Sequence, residues 1–220
     1  MRSVIFDLDG TLADTSRDLI NAANVCFRDL GLGDVLDPLT DGWVGMQGGK
    51  AMLREGFRRT GSYGDAEIEW QYPRLLEAYS EALDHHTTLF PGVAEAVKEL
   101  SALGYCVGIC TNKPEALAER LMVSLGVRDL FGSLVGADTL PVRKPDPAPL
   151  REAIKRAGGD PARAVLVGDT ITDRETARAA GIASILVTFG PLGDAVREML
   201  PQALLDDYAE LPDVVSALIG

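Results

Sequence analysis

Two carboxylates two residues apart, Asp7 and Asp9, follow the apolar run Val4-Ile5-Phe6 and precede Gly10-Thr11. Such a run reads as a buried strand, and Gly10 lets the chain turn sharply at little steric cost. Acids leaving the C-terminal end of a strand stand where parallel α/β sheets bind ligands. The pair suits a divalent cation plus a carboxylate nucleophile; it is also ordinary composition for a solvated acidic turn. Three further polar stretches stand out: Thr111-Asn112, Lys144 ahead of Pro145, and Asp169 with Asp173. Singly, each has a plain structural reading: a helix cap, a solvated loop lysine, and acids favoured by the dipole at a helix start. Their joint order, after successive apolar runs of one pattern, is what points to a site.

The elements that would position these groups alternate strand and helix. From residue 90 the pattern predicts a helix over 91–104, a strand over 105–110, a helix from Pro114 to Gly126 and a strand at 134–135. It continues with a helix over 147–157, a strand over 164–167, a helix over 172–180 and a strand over 184–187. Weaker signals give a helix near 194–199, a short strand at 203–205 and a last helix near 212–218. Such alternation predicts a parallel sheet covered on both faces. Residues 15–85 differ: helical spacing recurs from Leu19 to Leu30, from Ala51 to Arg59 and from Asp65 to about Leu83, with no convincing strand. Pro73 within the last run is expected to kink it or start a new helix. Residues 31–49 read as a glycine-rich loop region.

The 220 residues include 46% hydrophobic and 25% charged residues, ordinary globular usage with length for a sizeable core. A net charge of -12 argues against nonspecific binding to nucleic acid or anionic membranes. Cys26, Cys106 and Cys110 lack metal-ligand spacing and read as reduced thiols. No signal-peptide pattern fits at the N-terminus and no apolar stretch is long enough to span a bilayer, so a cytoplasmic chain is expected. His85 and His86 read as surface residues and not as metal ligands. Arg54 and Arg58 read as a solvated face. The Gly45–Lys50 stretch is either a flexible loop or a donor of backbone amides and the Lys50 ammonium to a ligand.

Taken in order, Asp7-Leu-Asp9-Gly-Thr11, Thr111-Asn112, Lys144-Pro145 and Gly168-Asp169-Thr-Ile-Thr-Asp173 resemble the motif set of the haloacid dehalogenase superfamily. The helical insertion after the first motif is similar to that superfamily's cap. Within it, Leu140–Leu150, Val167–Thr170 and Trp43-Val-Gly45 resemble the phosphoglycolate phosphatases. The resemblance implies an α/β, Rossmann-like parallel-sheet core, residues 1–14 and 86–220, with an inserted helical cap, residues 15–85.

It also implies roles. Asp7 would be the nucleophile of a phosphatase, forming an aspartyl-phosphate. Mg²⁺ would be held by Asp7, the Asp9 backbone carbonyl and Asp169, with Asp173 orienting that shell. Asp9 would act as general acid and then base. Thr111 and Asn112 would donate to phosphate oxygens, and Lys144 would stabilise developing charge. The cap would close over the site, with Gly45 and Lys50 toward the substrate's far end. The implied substrate is a small phosphorylated metabolite, 2-phosphoglycolate first among them; neither nucleic acid nor membrane is an expected partner, and monomer and homodimer both stay open. A phosphomutase resembling the β-phosphoglucomutases shares every motif, although the glycine-rich stretch offers few polar side chains for a sugar. A non-catalytic binding protein would be expected to lack Asp7, Asp9 or Lys144, and none is missing.

Overall fold

The fold is described from a computed structural model, for residues 1–61 and 64–220. The chain divides into two compact units, one of Met1–Ala13 with Leu89–Gly220, the other of Asp14–Thr88. It passes between them at two-residue strands, β2 (Ala13–Asp14) and β3 (Thr88–Leu89), which no alternation pattern is long enough to announce.

The larger unit is a six-stranded, all-parallel sheet. Its strands are β1 (Ser3–Phe6), β4 (Cys106–Cys110), β5 (Ser133–Val135), β6 (Ala164–Gly168), β7 (Ala183–Val187) and β8 (Ala203–Leu205), in the order β5-β4-β1-β6-β7-β8. β1 is buried at every position, as a strand covered on both faces must be. The connecting helices are α5 (Val93–Ala102), α6 (Glu115–Ser124), α7 (Ala148–Arg156), α8 (Ile171–Ala180) and α9 (Leu211–Ile219). Residues 193–199, expected as an ordinary helix, form a tighter 3₁₀ helix. Ile5, Leu150, Ile154 and Leu166 lie in a core cluster that spans the sheet and α7.

The chain steps from β1 outward to β4 and β5, then crosses back to β6 and continues to β7 and β8. Strand order therefore reverses around β1, and the C-terminal ends beside it form the crevice where such sheets bind ligands. The register is level: Phe6 pairs with Ile109 of β4 and with Val167 of β6. Asp7, Thr111 and Asp169 thus leave adjacent strands at nearly the same height.

The smaller unit comprises α1 (Ser16–Asp29), α2 (Gly42–Gly45), α3 (Gly49–Thr60) and α4 (Asp65–Glu81). Buried Asn24 pins the segment after α1, donating to the Leu36 carbonyl at 2.7 Å and accepting from the Val35 and Leu36 amides. Buried Asp18 holds the returning chain, accepting from the His86 and Thr87 amides at 2.9 Å each. His85 and His86 are exposed. α4 continues through Pro73, so of the two expected outcomes no new helix starts there. The proline is exposed, so its ring meets water. The glycine-rich loop is also shorter than expected, because α2 and α3 together leave only residues 46–48 between them.

Phe27 meets Phe57 edge-on at 5.4 Å, and Gly56 lets α3 approach that pair: a Cβ there would lie 2.0 Å from Phe27 Cζ. Exchanging a mid-helix glycine for alanine ordinarily gains up to about 1 kcal/mol. Here steric overlap with a buried ring outweighs it, and G56A is expected to destabilise the protein by about 1–3 kcal/mol. Urea denaturation reads this as a lower midpoint at unchanged slope.

Candidate active site

β1 ends by delivering Asp7. Its amide donates to the Val167 carbonyl at 2.8 Å, tying the residue to β6. Its Oδ1 accepts from the Leu8 amide at 2.7 Å and pairs with Lys144 Nζ at 3.0 Å, which fixes the rotation of the carboxylate. Gly10 then takes a φ of 76°, a left-handed turn that favours glycine. The turn is braced from below. Tyr208 Oη, fully buried, donates to the Thr11 carbonyl at 2.8 Å, and Thr11 Oγ1 donates to Asp169 Oδ1 at 3.1 Å.

Asp169 and Asp173 come from the junction of β6 and α8. Asp173 is at the third position of α8 and bonds back over the helix start: Oδ2 accepts from the Thr170 amide at 3.1 Å, Thr170 Oγ1 at 2.7 Å and the Asp169 amide at 3.3 Å. This acid-at-N3 arrangement satisfies amides that a helix start leaves open. Gly168 is required by the close approach, since a Cβ there would sit 2.4 Å from Asp173 Cβ. The other oxygen of Asp173 accepts from Lys144 Nζ at 2.6 Å. Lys144, only 1% exposed at its side chain, thus lies between two carboxylates. Burial disfavours its charge, but Asp173 and Asp7 outweigh burial and hold the ammonium protonated well above the usual lysine range.

Asn112 also has a structural contact. Its Nδ2 donates to the Lys144 carbonyl at 3.0 Å, so it anchors the lysine's loop. Thr111 is buried at the end of β4, its amide on the Val135 carbonyl and its Oγ1 accepting from the Lys113 amide. In the helical unit Gly45 and Lys50 lie in helices and not in a loop. Gly45 closes α2, buried against Leu19. Lys50 lies in the first turn of α3, its Nζ 2.6 Å from both oxygens of Glu69 and over the Tyr72 ring. Arg58 is paired with Glu55.

Lys113 was not anticipated as a site residue. Its Nζ pairs with Asp9 Oδ1 at 2.8 Å, with the lysine side chain 3% and the Asp9 side chain 19% exposed. The signal available was a cation directly after Thr111-Asn112, one residue past the stretch already singled out. Thr11 and Tyr208 had no such signal, because their contacts span 158 and 197 residues.

Asp7, Asp169 and Asp173 each bring a carboxylate oxygen within 4.8 Å of the others. Burial pushes Asp7 up to about 6, against the lowering pull of Lys144 and with Asp173 and Asp9 adding to the rise. Burial, then Asp173 and Asp7, raise Asp169 well above the usual carboxylate range. Asp169 Oδ2 is buried and receives no hydrogen bond. An anionic acceptor without a donor is costly, and a hard divalent cation with oxygen ligands is what this set fits.

In the metal-free protein Asp7 therefore carries a proton between about pH 4, its unfolded value, and about 6. The folded state binds more protons there, so this contribution to stability falls as pH rises. The stability of D7N relative to wild type is expected to increase by about 2 kcal/mol between pH 4.5 and 7.5 in chelator. Denaturant titrations of both proteins across that range check it, and Mg²⁺ should flatten the difference.

Comparison with known proteins agrees with this geometry. A family model of haloacid dehalogenase-like hydrolases matches residues 4–187. A phosphoglycolate phosphatase from Agrobacterium fabrum is 38% identical over 209 residues, covering 94% of this chain and 89% of that protein. One from Caulobacter vibrioides is 32% identical, covering 99% and 92%. Among solved structures, a predicted phosphoglycolate phosphatase from Haemophilus somnus superposes with a TM-score of 0.84 at 27% identity, covering 97% of each chain. CbbY from Rhodobacter sphaeroides, solved in complex with phosphate, shares the fold with a TM-score of 0.78 at 24% identity. With that model spanning most of the sequence and such relatives along nearly its whole length, the chain belongs to the haloacid dehalogenase-like hydrolases.

Proposed function

We propose that the protein is a Mg²⁺-dependent phosphatase that hydrolyses 2-phosphoglycolate through an aspartyl-phosphate on Asp7. The observation that carries the reading is the buried cluster of Asp7, Lys144, Asp169 and Asp173, whose Asp169 Oδ2 lacks a donor. The substrate is supported by the curated phosphoglycolate phosphatases at 32–38% identity. Asp7, Asp169 and the Asp9 carbonyl would hold the cation, with Asp173 fixing the Asp169 backbone. When bound, the cation neutralises phosphate oxygens that would otherwise repel Asp7.

Asp7, held by Leu8 and Lys144, attacks phosphorus as the bond to the leaving alkoxide breaks. Asp9 gives its proton to that alkoxide, which departs as the alcohol. A water then attacks the phosphorus of the aspartyl-phosphate while Asp9 takes its proton. The bond between phosphorus and the Asp7 oxygen breaks, restoring the carboxylate and releasing phosphate. Lys144 stabilises charge on the phosphoryl oxygens from a fixed position, so little reorganisation is needed during reaction. Thr111 supplies a hydroxyl donor beside it. Asn112 acts through the Lys144 loop that it anchors.

Residues 14–88 are assigned the role of the family's helical cap. Among the described residues no helix is long and apolar enough to cross a membrane. The three unbridged cysteines support a reducing, cytoplasmic setting: burial pushes the Cys26 and Cys110 thiols up to about 11 and about 12, so neither is a ready nucleophile.

A panel of metabolite monoesters, including sugar 1-phosphates, assayed with Mg²⁺ beside D7N tests the reading. 2-Phosphoglycolate is expected to give the highest kcat/KM, and D7N to fall at least about 10⁴-fold while retaining its fold. Preference for another ester would remove the substrate; an active D7N would remove the nucleophile.

A further inference from the structure

The buried hydroxyl of Tyr208 takes no part in the steps at phosphorus, yet it is bound to the turn that carries them. Tyr208 opens the short 3₁₀ turn ahead of α9, which the Asp207 carboxylate caps by accepting from the Ala209 amide at 2.9 Å. Its ring is gripped by neighbours. It meets Phe189 at 5.3 Å, and Phe189 meets Phe90 at 5.0 Å. Gly92 comes so near that a Cβ there would lie 3.1 Å from Tyr208 Cβ. The ring so held directs Oη to the Thr11 carbonyl at 2.8 Å. Burial, with the charge on Asp169 adding to it, keeps the phenol protonated, so it stays a donor.

The turn that receives this bond closes largely on itself, with the Leu8 carbonyl accepting from the amides of Thr11, Leu12 and Ala13. The Thr11 carbonyl, in a residue with no exposure, needs a donor from elsewhere, and Tyr208 supplies it. Thr11 Oγ1 in turn donates to Asp169 Oδ1 at 3.1 Å. That bond occupies one oxygen of Asp169 and leaves Oδ2, buried and without a donor, to a cation. The segment after Phe189 bears on the same place: a Cβ on Gly190 would lie 2.7 Å from the Gly10 carbonyl oxygen and 3.5 Å from Asp169 Cβ.

We propose that Tyr208 is a positioning residue for the divalent cation: through the Thr11 backbone and hydroxyl it holds Asp169 in the rotation that leaves Oδ2 free, and so sets the affinity of the site. The role rests on the cation assignment above and extends it to a residue that acts at two removes. Without the phenol, the buried Thr11 carbonyl loses its donor and the turn shifts to find another. The bond from Thr11 to Asp169 then weakens, Asp169 samples more than one rotation, and the ion must select the one that binds it. Outer groups that orient a metal ligand change affinity by about 10–100-fold when lost.

Mn²⁺, which suits the same oxygen ligands and is visible by electron paramagnetic resonance, reads the affinity without turnover. The full chain is titrated as wild type, Y208F, T11V and the double variant, each below its Tm in chelator. Y208F keeps the ring and its packing; T11V keeps the shape of the threonine. Y208F is expected to raise the Mn²⁺ dissociation constant about tenfold, and T11V at least as much. In the T11V background Y208F should add less than about threefold, because the route from Tyr208 to Asp169 is already cut. The Mg²⁺ concentration that gives half-maximal turnover should rise in step. A dissociation constant unchanged in Y208F while its Tm falls overturns the proposal and leaves Tyr208 a core residue alone. Equal losses in the two backgrounds also overturn it, since the effect would not pass through Thr11. Wild type that binds no Mn²⁺ would instead sink the cation reading itself.

Discussion

Everything at this site depends on one buried ammonium standing between two carboxylates. Lys144 is within 3.0 Å of Asp7 and 2.6 Å of Asp173, with almost no access to water. A charge so desolvated persists only when paired, so it can occupy no other place without leaving two acids unmatched. That constraint fixes the loop carrying Lys144, which Asn112 holds by its backbone carbonyl. It fixes the start of α8, whose third residue is Asp173, and it fixes Asp7 at the end of the central strand. Three chain segments, the first more than a hundred residues from the other two, are thus locked to one another by charge. The level register of β1, β4 and β6 makes the meeting possible.

The lock leaves an electrostatic deficit. Four carboxylates, Asp7, Asp9, Asp169 and Asp173, face two ammonium groups, in a chain whose net charge is already -12. Alone, such a pocket repels phosphate. The raised pKa of Asp7 and Asp169 and the donorless Oδ2 of Asp169 express the same imbalance. A divalent cation resolves it, turning an acid cluster into an anion site without any basic surface. The acids also divide by surroundings: Asp7 is held by an amide and Lys144, whereas Asp9 is more open and paired with Lys113. Two carboxylates two residues apart can therefore serve as nucleophile and as acid or base.

Much of the core was legible in the sequence because its signals are local. Buried parallel strands are short apolar runs, and Asp7, Asp169 and Lys144 each follow one or sit in the loop beyond. What the sequence did not reveal depended on contacts it cannot encode locally. Lys113 looks like any loop lysine until β1 brings Asp9 to it. Tyr208 and Thr11 meet only after the chain has run its whole length. In the helical unit, a glycine-rich composition suggested a loop, but Gly45 lies in α2 against Leu19 and Lys50 is paired with Glu69. Pro73 could be carried through α4 because its side of the helix is wet, and no sequence periodicity reports which side that is.

The central claim is that Asp7 receives the phosphoryl group beside a cation seated on Asp169. A crystal structure with Mg²⁺ and beryllofluoride, which mimics a phosphoryl group on a carboxylate, tests it most directly. The account predicts beryllium bonded to the Asp7 carboxylate, the cation in contact with Asp7 and Asp169, and Lys144 still paired with Asp173. Beryllofluoride on another residue, or a cation bound away from Asp169, would contradict it.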